Sequence, residues 1–191
     1  MAEVGPDGQV WVIDWYNYIV QHNPTPAGFA NGKGNAYVTE LRDKHHGRIY
    51  RLVATSTAGD GYRPLQLDPS NAAQLVATLG NDNLFWRLTA QRLLVERRQS
   101  DVLPGLVALA ANQATDEIGL NPGAIHALWT LDGLGLLDGR QPAATSAVVG
   151  ALAHASAGVR RNAVQVLPRD PAGLQALIER GLLHDADAQV R

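Results

Sequence analysis

The chain of 191 residues contains no cysteine. Disulfide bonds, thiolate metal sites and covalent haem attachment through a C-x-x-C-H motif are therefore excluded within it. No run of 18 or more residues is apolar throughout, and the first ten residues, MAEVGPDGQV, lack the basic and apolar regions of a signal peptide. The formal net charge is −2, without the basic excess of nucleic-acid-binding proteins. We therefore expect neither membrane insertion nor binding of nucleic acid.

The overall composition, with 46% hydrophobic and 18% charged residues, is ordinary for a soluble protein. The pattern of residue types along the sequence changes near residue 60. Before that point, glycine, proline and β-branched residues predict strands and turns. GPDG (Gly5–Gly8) predicts a turn, and the alternating QVWVID (Gln9–Asp14) predicts a strand. Further strands are predicted at Tyr16–Gln21 and Gly47–Val53. Residues 1–58 are thus interpreted as a domain of antiparallel strands, too few to be stable alone.

Residues 59–191 instead show alanine, leucine and valine at helical spacing. The predicted helices are 68–79, 83–98, 102–112, 121–137, 141–155, 157–167 and 170–183. Ala90, Ala127 and Ala163 recur at spacings of 37 and 36 residues, each inside a helix. Repeated helix pairs of this length are typical of HEAT-type α-solenoids, whose period is about 40 residues. We predict that these alanines allow neighbouring helices to approach closely.

The sequence AGVR (Ala157–Arg160) recurs as AQVR (Ala188–Arg191). Because AGVR opens a predicted helix, residues 185–191 are interpreted as the first turn of another. Solenoids require capping repeats, so the expectation is an array truncated at its C-terminus and a chain that is a fragment of a longer polypeptide.

Two stretches resemble a known family. The first, GPDGQVWVIDWYNYIVQHNPTPAGFANGKGNAYVTELRDKHHGRIYRL, is similar to the last blade of the β-propeller in PVC-type haem-binding-domain proteins. Those propellers are similar to soluble, quinone-dependent sugar dehydrogenases. The second stretch, NLFWRLTAQRLLVER, resembles the start of the HEAT segment that follows the propeller in this family. The resemblance implies a partial propeller blade at 1–58 followed by an all-α HEAT-like solenoid at 59–191.

The resemblance further implies a multidomain parent protein that oxidises sugars or alcohols and passes electrons to a haem domain. Haem c, and pyrroloquinoline quinone or calcium, would be cofactors of that parent, with none in this chain. The parent would be periplasmic or secreted, and the partners of this chain would be the rest of the same polypeptide, namely propeller and cytochrome c-like domain. The chain alone is expected to be non-catalytic. The alternative is a HEAT-repeat scaffold without enzymatic activity, which binds a protein partner on its helical surface.

The stretch DWYNYIVQHNPTP (Asp14–Pro26) contains the main candidate site residues. In a propeller, loops gather around a central channel where ligands bind. Asp14, Asn17, His22 and Asn23 are therefore candidates for the channel rim. A neutral histidine can act as a base near pH 7, which makes Asp14 and His22 the best catalytic candidates. Carboxylate and amide oxygens also suit calcium, although no metal site is assigned.

A structural interpretation competes with that functional one. In it, Asp14 and Asn17 cap a tight connection between strands, while Trp15 and Tyr16 pack between blades.

The cluster RDKHHGR (Arg42–Arg48) is the second candidate. Adjacent histidines on an extended segment point to opposite sides, so His45 and His46 are not expected to share a metal. Arg42 and Arg48 are candidate contacts for an anion or carboxylate, and a turn that leads into the last strand is the alternative.

The remaining histidines lie in the helical region. His126, among alanine and leucine, is predicted to be a core or groove residue. His154 and His184 are predicted at helix C-termini, where the helix dipole favours a cation.

Overall fold

The computed structural model describes residues 1–14, 45–55 and 65–191. The chain divides into two compact units, Met1–Pro64 and Leu65–Arg191. The described parts contain a small antiparallel sheet of three strands in the first unit and seven α-helices in the second. The fold is therefore mixed and mostly helical. No helix among the described residues is both long and apolar enough to cross a membrane.

The sheet consists of β1 (Ala2–Val4), β2 (Val10–Asp14) and β3 (Arg48–Leu52). The order is β1-β2-β3, and both pairings are antiparallel. The predicted strands at Gln9–Asp14 and Gly47–Val53 are confirmed with slightly shorter bounds. The predicted strand at Tyr16–Gln21 lies outside the described residues.

The predicted GPDG turn joins β1 to β2. The amide of Gly5 donates to the carbonyl of Gln9 (2.9 Å), and the amide of Gly8 donates to the carbonyl of Gly5 (3.0 Å). Gly8 has a φ of 75°, a left-handed conformation that glycine adopts without steric cost. Sequence reasoning did not predict β1, which has only three residues, but it predicted the turn that positions β1 beside β2.

The helices occur where the pattern predicted them, with ends that differ by a few residues. They are α1 (Ala72–Thr78), α2 (Leu84–Arg97), α3 (Leu103–Ala111), α4 (Pro122–Gly133), α5 (Pro142–Ala151), α6 (Ala157–Val166) and α7 (Pro171–Glu179). A short 3₁₀ helix follows at Leu182–His184.

Local side-chain chemistry explains several helix starts. Asn121 accepts a hydrogen bond from the amide of Ala124 and precedes a proline at the first helical position, as predicted for α4. The predicted start of α1 at Asp68 is wrong by four residues. Asp68 instead accepts the amide and hydroxyl of Ser70 in a turn, and Asn71 is the residue that caps α1.

Two predicted helices end earlier because of glycine. We predicted α4 to reach residue 137, but it ends at Gly133. Gly135 then adopts a φ of 68°, and the amide of Leu136 donates back to the carbonyl of Leu131. The α7 helix, predicted to residue 183, stops before Gly181, which has a φ of 66°.

The helices pack in two layers. Consecutive helices pair as α1 with α2, α3 with α4 and α5 with α6. Within one layer, the even layer, α4 packs against α2 and α6, whereas in the odd layer α3 packs against α1 and α5. Ala90, Ala127 and Ala163 are fully buried in the three helices of the even layer, as a close approach of neighbouring helices requires.

Residues 185–191 form turns after the 3₁₀ helix. The amide of Val190 donates to the carbonyl of Asp187 (3.1 Å), and the carboxylate of Asp187 accepts the amide of Gln189. Residues 185–191 therefore form a capped turn and not an α-helix.

Candidate functional site

The structure pairs two of the predicted site residues. Asp14, which is half-buried at the end of β2, lies directly opposite Arg48 at the start of β3. Arg48 is exposed, and its guanidinium donates to the hydroxyl of Tyr50 (3.1 Å). The other candidates, Asn17, His22, Asn23 and Arg42, lie outside the described residues. The geometry therefore supports a cross-strand juxtaposition of Asp14 and Arg48.

A second polar cluster, centred on Asp7, was not predicted from the sequence. One carboxylate oxygen of Asp7 accepts the indole N–H of Trp11 (2.9 Å) and the amide of Gln9 (3.1 Å). The other accepts Nε of Arg51 (2.6 Å). The Asp7 side chain is only 4% exposed. These bonds, above all the one from Trp11, hold the pKa of Asp7 below its usual value.

The Asp7 cluster fixes the turn onto the sheet. Arg51 lies opposite Trp11 across β2 and β3, with its guanidinium carbon 6.0 Å from the indole centroid. A β-carbon on Gly5 would lie 2.4 Å from the Trp11 ring, so glycine leaves the space that the indole fills. Each acceptor oxygen of Asp7 is engaged by a fixed donor, an arrangement suited to rigidity rather than to proton transfer. The GPDG motif followed by Trp11 is the sequence signal that could have identified this cluster.

The structure describes both of the adjacent histidines. His45 and His46 are exposed just before β3. Within residues 1–14, 45–55 and 65–191, no group of three histidine, aspartate or glutamate side chains is arranged to hold a metal ion.

In the helical unit, three arginines repeat one contact. Arg87 in α2, Arg160 in α6 and Arg191 each donate from Nη1 to the backbone carbonyl six residues earlier, at 2.6, 2.8 and 2.7 Å. Arg87 and Arg160 also reach the carbonyl five residues earlier. Each arginine thus holds the loop that precedes its own segment. Arg160 and Arg191 are the last residues of the repeated sequences AGVR and AQVR, so the repeat in the sequence corresponds to this contact.

The second repeat lacks that arginine. Three residues before the aligned alanine, where α2 and α6 have arginine, α4 has the buried Ala124. There the side-chain amide of Asn121 donates to the carbonyls of Asn112 and Ala114 (2.7 and 2.8 Å). The loop before α4 is therefore held by a different side chain.

His126 is a buried core residue, as predicted. Its Nδ1 lies 2.6 Å from the side-chain oxygen of Gln91, which joins α4 to α2. Because an amide oxygen only accepts, Nδ1 carries the proton. Burial, with a smaller contribution from Arg87, lowers the pKa of His126 from 6.5 to about 4. His126 is therefore neutral at pH 7 and serves as a hydrogen-bond donor.

His154 differs from its prediction as a site that favours a cation. It is 1% exposed, and its Nδ1 accepts the amide of Ser156 (2.9 Å) while Nε2 lies 2.7 Å from the carbonyl of Asn112. Nδ1 must be unprotonated to accept, so Nε2 donates, which is the neutral tautomer. The ring bridges the α5–α6 loop to the end of α3, a contact between segments far apart in sequence. By contrast, His184 is exposed at the end of the 3₁₀ helix.

A polar cleft of about 580 Å³ lies where α4 and α6 end, and we call it the α4–α6 cleft. Trp129, Asp132 and Asp138 line one wall, and Gln165 and Arg169 contribute to the other. None of these residues was singled out from the sequence. The cleft depends on the turns that follow both helices, so the helical periodicity alone gave no signal for it.

Comparison with known proteins adds one finding. Residues 1–56 match a family described as a domain of unknown function (DUF7133). The match covers the sheet-forming region and less than a third of the chain. No curated protein matches the sequence significantly. No solved structure matches it significantly.

Proposed function

We propose that residues 65–191 are a HEAT-type helical scaffold that binds an extended segment of a protein partner. The observation that carries this proposal is the even layer, in which α2, α4 and α6 lie side by side with a buried alanine in each. Stacked helix pairs of this kind present a long surface, and ligand binding to such surfaces needs no catalytic group.

The polar groups of the even layer support binding rather than catalysis. Its buried histidine, His126, is neutral and is hydrogen-bonded to the side chain of Gln91. The indole N–H of Trp129 is occupied by the side chain of Asn162 (2.7 Å). By contrast, side chains such as Leu88 (52% exposed), Asp132 and Gln165 reach the surface. The buried polar groups thus fix the helices relative to one another. The exposed side chains are accessible to a ligand.

A peptide array tests this proposal. The labelled full chain is applied to extended peptides of varied charge, and binding is counted only if unlabelled chain competes for it. We expect saturable binding to a subset of peptides. Leu88→Glu, on α2, should weaken it, whereas Ala108→Glu, at an exposed position on α3 of the odd layer, should not. If no peptide binds saturably, or if both variants behave alike, the scaffold proposal fails.

A second candidate function rests on the sheet. The GPDG turn and the antiparallel strands at 2–4, 10–14 and 48–52 are compatible with the outer part of a propeller blade. Together with the family resemblance of the sequence, they favour a parent protein that is a propeller–HEAT dehydrogenase of sugars or alcohols. That parent would be periplasmic or secreted and would use haem c, with pyrroloquinoline quinone or calcium in its propeller.

Sequencing the DNA that flanks the reading frame tests this second candidate. Propeller repeats upstream and a C-x-x-C-H motif downstream would support it and would make Asp14 and His22 worth mutating. If the flanking DNA encodes neither, the dehydrogenase parent is rejected and the scaffold proposal stands by itself.

A further inference from the structure

The α4–α6 cleft lies at the ends of two helices that run in the same direction. Gly158 at the start of α6 approaches Ile125 of α4, and one turn later Asn162 accepts the hydrogen bond from Trp129. Because this offset continues along both helices, their C-terminal ends meet at the cleft. The C-terminal end of a helix carries a partial negative charge, so two such ends favour a cation.

The acidic side chains of the cleft strengthen this preference. Asp138 is paired with Arg140. Asp132 lies in the last turn of α4 and is exposed, and its carboxylate has no hydrogen-bond or ion-pair partner among the residues that the structure describes. One carboxylate in the cleft is therefore available to a ligand.

Trp129 gives the same wall an aromatic surface. It lies three residues before Asp132, so both side chains project from one face of α4. The ring is held in place because Trp129 donates to Asn162, which in turn donates to the carbonyl of Gly158 (2.7 Å). An indole of fixed orientation beside a free carboxylate can contact a planar cation with its π system and bond the same cation through oxygen.

We propose that the α4–α6 cleft binds an arginine side chain of the partner segment, with the guanidinium against Trp129 and hydrogen-bonded to Asp132. This inference rests on the proposed scaffold function and names its chemical specificity. Arginine is favoured over lysine because its planar group can stack on the indole and form a bidentate contact with the carboxylate at once.

Arg169, on the opposite wall of the cleft, provides a second test of the proposed specificity for a cation. It lines the cleft, is exposed, and has no bonding partner among the described residues. Its positive charge repels the bound guanidinium, so its removal should strengthen binding, whereas removal of Asp132 should weaken it. A site for an anion would show the opposite pair of effects.

The test is a titration of the full chain with the peptide acetyl-Gly-Arg-Gly-amide. The reporter is the indole N–H resonance of Trp129 in a ¹⁵N–¹H spectrum, identified by its loss in Trp129→Phe. We expect a saturable shift with a Kd of about 1 mM, as suits a single anchoring side chain. The matched peptide acetyl-Gly-Gln-Gly-amide should cause no shift.

Three variants complete the test. Asp132→Asn should weaken binding by about fivefold or more because it removes a charge-assisted hydrogen bond. Arg169→Gln should tighten it by about twofold through loss of repulsion. Glu117→Gln, which removes an exposed carboxylate that does not line the cleft, should leave the Kd unchanged.

The proposal is overturned if the glutamine peptide shifts the resonance equally, if Asp132→Asn binds like the wild type, or if Arg169→Gln weakens binding. The array separates this failure from failure of the scaffold. Array binding that is insensitive to Asp132→Asn leaves the scaffold proposal intact and rejects the arginine site.

Discussion

Different interactions stabilise each of the two units of the chain. In the sheet, large apolar side chains remain exposed, such as Ile49 at 70% and Leu52 at 59%, and Asp7 with its three donors supplies the best-defined side-chain contacts. In the helical unit, residues such as Leu128 and Leu131 are fully buried. The stability of the helices is thus dominated by apolar burial, whereas the described strands depend on backbone pairing and one polar cluster.

The largest expected difference concerns leucine. Leu128→Ala, in the core of α4, should lower the free energy of unfolding of the helical unit by about 3 kcal/mol through lost burial and a residual cavity. Leu52→Ala, in β3, should change the stability of the sheet by less than about 1 kcal/mol because the side chain is exposed. Hydrogen exchange of amides in α4 and β3 measures each effect locally. Equal losses of stability in α4 and β3 would contradict the proposal that apolar burial dominates only in the helical unit.

Acid should weaken the helical unit through His126. Its pKa is about 4 in the folded protein and 6.5 ordinarily, so the unfolded chain binds the proton first. The stability is therefore full above pH 6.5 and is lost as the pH falls through 6.5 toward 4, by up to about 3 kcal/mol. Urea unfolding at a series of pH values, for the wild type and His126→Gln, measures this. The same pH dependence in both proteins would contradict the assignment.

A smaller effect is expected for the ion pair between Arg160 and Asp185. The pair joins α6 to the segment after the 3₁₀ helix at 2.7 Å, with side chains 16% and 10% exposed. The hydrogen bond from Arg160 is the main cause that lowers the pKa of Asp185 to about 2. Asp185→Asn should cost about 2 kcal/mol at pH 7, by urea unfolding. In the wild type this contribution is lost as the pH falls from 3.8 through 2.

Asp138→Asn is the control for that prediction. It removes a carboxylate whose arginine partner is 85% exposed, so its removal should destabilise the protein much less than Asp185→Asn. If both substitutions cost the same, the burial of the Arg160–Asp185 pair has no energetic consequence.

The smallest expected effects have opposite signs in the two units. Gly5→Ala would place a β-carbon 2.4 Å from the Trp11 ring and should weaken the turn by about 1 kcal/mol, seen as faster exchange of β1 and β2 amides. Gly150→Ala, in α5, meets no atom within 4 Å and should stabilise that helix by about 0.5 kcal/mol. Stabilisation by Gly5→Ala would show that the indole does not occupy the space beside Gly5.

The parts of the fold that sequence reasoning predicted are those set by local pattern. The burial of Ala90, Ala127 and Ala163 followed from their recurrence, and the start of α4 followed from an asparagine before a proline. The predicted end of α4 was wrong because the apolar pattern of the sequence continues to residue 137, while Gly133 and Gly135 terminate the helix. The strand β1 was missed because three residues carry too little alternation to identify a strand.

The site residues were harder to predict because their contacts join distant parts of the chain. Asp7 and Arg51 are 44 residues apart, and no local spacing predicts their pairing. His154 was interpreted from its place near a helix end, whereas its Nε2 bonds a carbonyl 42 residues earlier in the sequence. The α4–α6 cleft likewise forms from two turns that only the packing of the helices brings together.

The two hydrogen bonds that cross the even layer have a mechanical consequence. Apolar contacts resist the separation of two helices but resist sliding along their axes far less, because one apolar neighbour replaces another. The bonds from His126 to Gln91 and from Trp129 to Asn162, at 2.6 and 2.7 Å, are directional and would break after a shift of about 1 Å. Both start from α4, so this helix is pinned on both sides. Under a pulling force the layer should therefore behave as a spring that is stiff in shear, and it should yield by bending before its helices slip.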